Sequence, residues 1–475
     1  MSIYQVQFIG GAYTARSKDF NSQICQNYYV ELDEMGSKNP IALIGCPGIT
    51  TWLDTSNYTE VRNLHLFGDS LIAIVGDTVY LINTSKAITT LGTIGTSSGW
   101  VDIAFDGITM SIFDSTGGWT YDGTFSAITD ADLPDVSGAT FQDGYHIVTR
   151  ANTDQFFISE QDDPTSWDAT DFATAEASGD ILVSPKSVKN QLWLFGKETT
   201  EVWYNSGETF PFNRNPGGIL GIGCGSKRSI AVHEDSVFWL DNKYRVMMGM
   251  GIAARQVSPY QIDYQISQLT RKDNSVGFCY TQEGHSFYEL SFPSDDKTFC
   301  YDISTGMWHM RASGALDLRS RANCSILFDD KVLVGDCENG KIYEYRLDVY
   351  DDDGEPKRAI RSGQPIHNKQ RRLFCNYFEI DMETGVANTS VTDPQIMLQW
   401  SDDGGHTWSN EHWKSIGAVG KYGQRVKWNR LGYFRDRVFK TTISDAVKRN
   451  IINAFVEGTI EGTREDSVED LSAKK

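Results

Sequence analysis

No stretch of the 475-residue chain reaches about eighteen consecutive apolar residues, the length a helix needs to cross a bilayer. The opening "MSIYQVQFIGGAYTARSKDF" also lacks the basic start and continuous apolar run of a signal peptide. These absences read as a soluble protein made in the cytoplasm, with no membrane insertion. Positive charge is in deficit: 43 Lys and Arg stand against 63 Asp and Glu, a formal net charge of −20. Such a surface repels phosphate backbones and anionic membranes. Specific nucleic-acid recognition is disfavoured, whereas a wall past which DNA slides without sticking suits this sign. The eight cysteines, at 25, 46, 224, 279, 300, 324, 337 and 375, form no C-x-x-C and no repeated spacing. They read as buried free thiols, not as a zinc site or a disulfide framework. Among the eight histidines there is no H-E-x-x-H, and neither G-x-x-x-x-G-K-[ST] nor G-x-G-x-x-G occurs. No metal, nucleotide or other cofactor is indicated. A long amphipathic helix is missing as well.

What remains is a turn-rich, strand-favouring chain: 40% hydrophobic, 12% aromatic, with 43 glycines. Its length fits about two to four domains. Two-residue polar turns fall at Gly68-Asp69, Asp106-Gly107, Asp143-Gly144, Lys189-Asn190, Glu234-Asp235, Glu283-Gly284 and Asp329-Asp330, spaced by 38, 37, 46, 45, 49 and 46 residues. Each is flanked by short runs of alternating apolar residues, as in "VRNLHLFGDSLIAIVGDTVYLINTS", the pattern of paired strands. A repeat of this size with several strands per unit predicts a mainly β, propeller-like domain of about seven units over 61–348. The acidic run, glycine, prolines and basic residues of "DVYDDDGEPKRAIRSGQP" predict a linker or long loop at 349–365. A second β-rich block at 366–457 predicts a β-sandwich. Residues 458–475 are polar and without apolar periodicity, and read as a disordered tail. The first 60 residues are assigned only as a segment packing on the other domains.

The stretch "WSDDGGHTWSNEHW" draws the eye to chemistry. Ser401, Asp403, Gly405, Thr407 and Trp408 fit S-x-D-x-G-x-T-W, the Asp-box found in sialidases and other propeller proteins. Physically it describes a turn: Asp403 accepts backbone N–H bonds, Gly404 and Gly405 allow positive φ, and Trp408 folds back as an apolar plug. A glycosidase needs two carboxylates at a defined separation, one with a raised pKa. The local candidates, Asp402, Asp403 and Glu411, and then Asp351, Asp352 and Asp353, read more simply as solvated loops. No catalytic residue, cofactor site or metal site is assigned, and the expectation is a protein that is not an enzyme.

Three segments carry a wider resemblance: "SQICQNYYVELDEMGSK" with "GCPGITTW", then "FGKETTEVWYNSGETFPFNRNPGGILGIGCGS", then "VKWNRLGYFRDRVFKTTISD". Together they resemble the tail hub or nozzle proteins of short-tailed bacteriophages, also called packaged-DNA stabilization proteins. The positions that carry the match are Asn27, Glu31, Pro47 and Gly48; Glu201, Trp203, Gly223 and Cys224; and Trp428, Gly432, Arg435, Asp436 and Arg437. None implies catalysis. Pro47-Gly48 is expected to set a turn, Trp203 and Trp428 to anchor cores, and Arg435 or Arg437 to pair with carboxylates. The resemblance implies a structural protein of the virion tail: a six-copy ring below the portal and the adaptor or head-to-tail connector. Needle, spike or fibre proteins would lie beneath it, and genomic DNA would pass through without specific binding. The alternative is a tail protein that binds or cleaves host surface glycans.

Overall fold

Turn chemistry explains most of the hairpins. The computed structural model describes residues 2–33, 36, 38–176, 179–387 and 390–460. In it, Phe67 faces Ser70, Gln142 faces Tyr145, Val188 faces Gln191, His233 faces Ser236, Gln282 faces His285 and Phe328 faces Lys331. Each pair brackets one of the two-residue turns read from the sequence. Asp143 and Gly144 (φ 51° and 89°) and Asp329 and Asp330 (φ 50° and 57°) are left-handed at both central positions, whereas at Gly68-Asp69 only the glycine is. Those are the two primed turn geometries whose twist matches the flanking strands. Asp106-Gly107 differs: Phe105 faces Met110, so the loop has four residues. There Asp106 Oδ1 accepts the N–H groups of Ile108 and Thr109, both at 2.6 Å.

The hairpins build a unit made of Ile49–Gly306 and Leu318–Arg346. It holds six four-stranded antiparallel sheets, not about seven. Five are continuous in sequence, over 61–93, 102–127, 136–174, 182–220 and 231–256. In the sixth, Ala322–Phe328, Lys331–Asp336 and Lys341–Arg346 are joined by Gly48–Asp54 from the start of the chain. The sixth turn of the series, Glu283-Gly284, lies instead in a meander of three strands, Val276–Gln282, His285–Phe292 and Lys297–Asp302. After Gly306 the chain passes to residues of the other unit, so no fourth strand of this unit completes that meander. A turn pair reports a hairpin, and a hairpin is only half of a blade. Residues 1–60, read only as a segment packing on the other domains, include Gly48–Asp54, a strand that no local pattern connects to its partner almost 300 positions away.

Strand Ser70–Val75 shows how the blades cohere. Leu71, Ala73 and Val75 enter a cluster with Val61, Leu64, Leu333 and Ile342. Ile72 and Ile74 point the other way, into a cluster with Val79, Val101, Met110 and Ile112. A strand buried on both faces must be apolar at successive positions, which is why "LIAIV" does not alternate with polar residues. Each of its larger side chains contributes roughly 1.5–3 kcal/mol by leaving water.

The other unit comprises Met1–Gly48, Met307–Asp317 and Leu347–Lys475. In one sheet Val426–Asn429, Leu373–Met382, Ile451–Ile460, Ile41–Gly45 and Tyr28–Leu32 lie side by side. Another places Cys25–Gln26, Ala359–Ser362, Asp436–Ile443, Gln395–Ser401 and His412–Ser415 in order. Phe8, Tyr28, Leu43, Phe378, Leu398 and Phe439 share the core of this sandwich, with the Phe378 and Phe439 rings stacked at 4.3 Å. The N-terminal strands are therefore integral to it.

Two further readings change. The 349–365 stretch is not simply a solvated linker, because Ala359–Ser362 is a fully buried strand and Asp352 is buried against Lys357 at 3.0 Å. Charged residues read as solvated only when nothing inside answers their charge. The 458–475 tail begins too early: the last strand runs to Ile460, and 461–475 lie outside the described residues. One α-helix, Tyr260–Ser267, occurs among the described residues.

Candidate functional site: the Asp-box and the propeller axis

At the Asp-box the geometry is that of a turn. Asp403 Oδ1 accepts from Ser401 Oγ at 2.6 Å and from the N–H groups of His406 and Thr407 at 2.9 Å, and Oδ2 accepts from Thr407 Oγ1 at 2.5 Å. Gly405 N–H donates to Ser401 Oγ at 2.8 Å. Gly404 and Gly405 have φ of 71° and 96°. The Ser401 and Thr407 hydroxyls, then the backbone donors, hold the Asp403 carboxyl well below the usual range. Lys440 Nζ sits 4.1 Å over the Trp408 ring. A carboxylate with these bonds is an acceptor already in use, the opposite of the raised pKa of a general acid. Asp402 is engaged too, taking a two-pronged pair from Arg437 at 2.6 and 2.7 Å.

The remaining motif positions are scattered through both units, each with a local task. Asn27, left-handed at φ 56°, is fully buried. It donates to the carbonyls of Ala312 and Arg358 at 2.9 and 2.7 Å and accepts the Ala312 N–H at 3.1 Å. Glu31 is an exposed strand residue paired with Ala42. The Pro47 carbonyl receives Lys357 Nζ at 2.8 Å; at Gly48 a Cβ would stand 2.3 Å from the Asp351 carbonyl oxygen, so only glycine fits. Buried Glu201 accepts Trp203 Nε1–H at 2.9 Å, and the Trp203 ring meets Phe156 edge-on. A Cβ on Gly223 would collide with the Lys197 carbonyl at 2.0 Å. The buried Cys224 thiol is pushed up to about 12 by its burial. Trp428 donates to the His412 carbonyl at 2.8 Å and stacks on Phe378. Gly432 has φ 75°. Arg435 binds the Gln370 carbonyl at 2.6 Å, Asp436 accepts from Gln370 Nε2 at 3.0 Å, and Arg437 also donates to the Leu431 carbonyl. No two of the three motif groups converge on a reaction centre.

Both segments together decide the family. The description "Bacteriophage P22 Gp10, beta-propeller" matches residues 4–350, and "Bacteriophage P22 Gp10, beta-sandwich" matches 360–459. The chain belongs to the bacteriophage P22 Gp10 family. It is thus a phage structural tail protein. No curated protein matches its sequence. Among solved structures, it is similar to the WD40 propeller domain of Doa1 (11% identity, 62% of this chain and 97% of that one, TM-score 0.41). It is also similar to virginiamycin B lyase from Staphylococcus aureus (12%, 63% and 98%, 0.44). A third is the extracellular domain of a one-component system from B. thetaiotaomicron (9%, 89% and 62%, 0.44).

The Gp10-family propeller holds a site that sequence reasoning missed. Its innermost strands enclose a cavity of about 450 Å³ lined by Arg62, Asp102, Lys186, Lys227, Arg228 and Asn323, among others. Asp102 Oδ1 accepts Lys186 Nζ at 2.8 Å, and its Oδ2 lies 3.0 Å from Lys227 Nζ and accepts the Ala139 N–H at 3.1 Å. Lys227 also reaches the Ser137 carbonyl and lies over the Trp100 ring. Burial alone would raise Asp102, but Lys186 and Lys227 overcome it and hold the carboxyl well below its usual range. For Lys227 burial wins, pushing the ammonium down to about 7 against the pull of Asp102. Arg62 spends its donors on oxygens of Gly76, Thr96, Ser98, Gly99 and Trp100. Arg62, Asp102, Lys186 and Asn323 stand on four different blades and adjacent Lys227 and Arg228 on the short turn Lys227–Ser229, up to 261 positions apart, so no local motif announces them.

Proposed function

We propose that this Gp10-family chain is the subunit of a tail hub or nozzle: a six-copy ring that helps retain packaged DNA and forms the conduit for its ejection. An adaptor or connector protein would dock above, and needle, spike or fibre proteins below. The observation that carries the reading is the family match over both the propeller and the sandwich, 4–350 and 360–459. Charge supports it, because a net −20 repels the duplex over the screening distance of about 8–10 Å at ordinary salt. Such a wall centres DNA without holding it. The occupied carboxylates of the Asp-box favour a structural part over glycan hydrolysis. A cryo-EM map of the parent virion tests the assignment. Density for six copies on the tail axis is expected, and the same chain in a peripheral spike would overturn it. The conduit role has its own test, since tight, salt-sensitive binding of purified protein to duplex DNA contradicts passive passage.

A further inference from the structure

Of the twelve tryptophans in the chain, Trp413 alone is exposed, with 55% of its surface in water, while the rest are buried or half-buried. Its strand, His412–Ser415, ends one sheet of the sandwich, and Val426–Asn429 ends the other. Along this side opens a cleft of about 480 Å³, lined by Trp400, Glu411, Trp413, Lys414, Asn429 and Arg430, among others. Burying an indole stabilises a fold more than burying most side chains, so one left outside the core forgoes a large contribution. A single exposed apolar residue carries no message by itself. Here the groups around it do.

Unlike the cations of the propeller cavity, the polar side chains of this cleft are unengaged. Glu411, Lys414, Asn429 and Arg430 are exposed, and among the described residues their side chains make no hydrogen bond or ion pair. The backbone that carries them is nevertheless fixed. Arg430 is left-handed at φ 61°, with its N–H on the Asn376 carbonyl at 2.7 Å. His412 is held twice: its ring stacks on Trp400 with centroids 4.6 Å apart, and its carbonyl takes the Trp428 indole N–H at 2.8 Å. Free donors and acceptors on a rigid frame are the makings of a ligand site. In a chain of net charge −20, this lining also reverses the sign, with two cations, Lys414 and Arg430, against one acid, Glu411.

From the exposed indole, the unengaged polar groups and the local charge, we infer that this cleft binds an acidic saccharide, a pyranose ring that carries a carboxylate. The apolar C–H face of the sugar covers the Trp413 ring, and its carboxylate takes the planar fork of Arg430. Its hydroxyls, which both donate and accept, pair with the Asn429 amide and the Glu411 carboxylate. A volume of about 480 Å³ falls in the range of small-molecule sites, roughly 300–1,000 Å³. A protein partner would want an apolar centre depleted of charge, whereas charged and polar side chains surround this indole. Binding stops short of cleavage, because hydrolysis takes two carboxylates and Glu411 is the one acid in the lining. The inference does not rest on the ring reading.

The test is saturation-transfer NMR on the full chain at neutral pH with two probes, methyl glucuronide and methyl glucoside, which differ in the carboxylate. Wild type is compared with Trp413→Ala, with Arg430→Asn, in which asparagine tolerates the left-handed backbone, and with the control Tyr422→Ala, an exposed aromatic outside the cleft lining. Wild type and Tyr422→Ala should transfer saturation to both sugars and bind the glucuronide about tenfold more tightly, the factor a charge-assisted bond supplies. Trp413→Ala should lose both signals. Arg430→Asn should keep the glucoside and lose the preference. If Trp413→Ala fails to fold, the wild-type preference and its loss in Arg430→Asn still decide. No transfer to the glucuronide in wild type, equal binding of the two sugars, binding that survives Trp413→Ala, or equal loss in Tyr422→Ala would overturn the inference. A virion map that removed the chain from the tail axis would leave these readings unchanged, so the two proposals fail separately.

Discussion

Two buried-cation sites, one in each unit, are built in opposite ways. At the propeller axis, Lys186 and Lys227 are held by a carboxylate, Asp102. In the sandwich, fully buried Arg361 is held by neutral oxygens: the carbonyls of Phe8, Gly11 and Ile24 at 2.6, 2.9 and 3.3 Å, and Gln23 Oε1 at 2.8 Å. Arg449, equally buried, donates to the carbonyls of Lys357 and Tyr350 at 2.7 and 2.8 Å. A carbonyl cage does not titrate, and it staples chain segments some 340–350 positions apart. A carboxylate pair titrates, and it lines a polar cavity. The first arrangement suits assembly of a discontinuous domain; the second suits a responsive site.

The contrast predicts its largest effect at Arg361. In Arg361→Met the side chain keeps most of its length but abandons four buried oxygens on the N-terminal segment, at a cost of about 3–5 kcal/mol. Hydrogen exchange should show protection lost at Tyr28–Leu32 and Ala359–Ser362 and kept in the blades. Uniform loss, or none, would remove the distinction drawn here.

Next in size is Asp102→Asn, which leaves two ammonium groups without their counter-charge. Because these side chains are 11–22% exposed, water softens the penalty to about 2–3 kcal/mol. Adding Lys227→Met should recover part of it in a double-mutant cycle. If the double variant is simply the sum of the two singles, the pair is not coupled.

Acid should separate the two modes without any change of size. The Asp102 pKa is depressed in the folded state, so its contribution is complete above the unfolded value near about 4 and is lost as pH falls below it. The wild-type unfolding midpoint in urea should therefore drop between about pH 5 and about pH 3, and Asp102→Asn should flatten that slope. Arg361→Met should keep the wild-type slope, since its cage has no group that titrates in that range. A slope flattened equally by both variants would contradict the comparison.

How far these features were legible follows the range of the interaction behind each. The hairpins were readable because a two-residue turn is chosen by its own side chains and φ angles, as at Asp143-Gly144. The Asp-box bonds are as local, spanning Ser401 to Thr407. Strand Gly48–Asp54 was not readable, because its partner Lys341–Arg346 is chosen by closure of the fold. Arg361 lay in a segment whose acids, prolines and bases imitate solvated loop, and only the folded chain supplies the carbonyls that bury it. The axial cations were hidden for the same reason: Arg62 and Lys186 stand on different strands and Lys227 and Arg228 on the short turn Lys227–Ser229, and their convergence is a property of the ring of blades.

The smallest effect belongs to the motif that looks most like chemistry. Asp403 is exposed, so on Asp403→Ala the N–H groups of His406 and Thr407 turn to water instead of being stranded, and the hairpin between Gln395–Ser401 and His412–Ser415 loosens at its tip. The thermal midpoint should fall by less than in any variant above, with faster exchange confined to 402–408. Incubation of the wild-type protein with host polysaccharide should release no oligosaccharide, leaving no rate for the substitution to remove. A midpoint that does not move, combined with a hydrolytic rate that disappears in Asp403→Ala, would instead make this carboxylate a reacting group and return the glycan reading to the front.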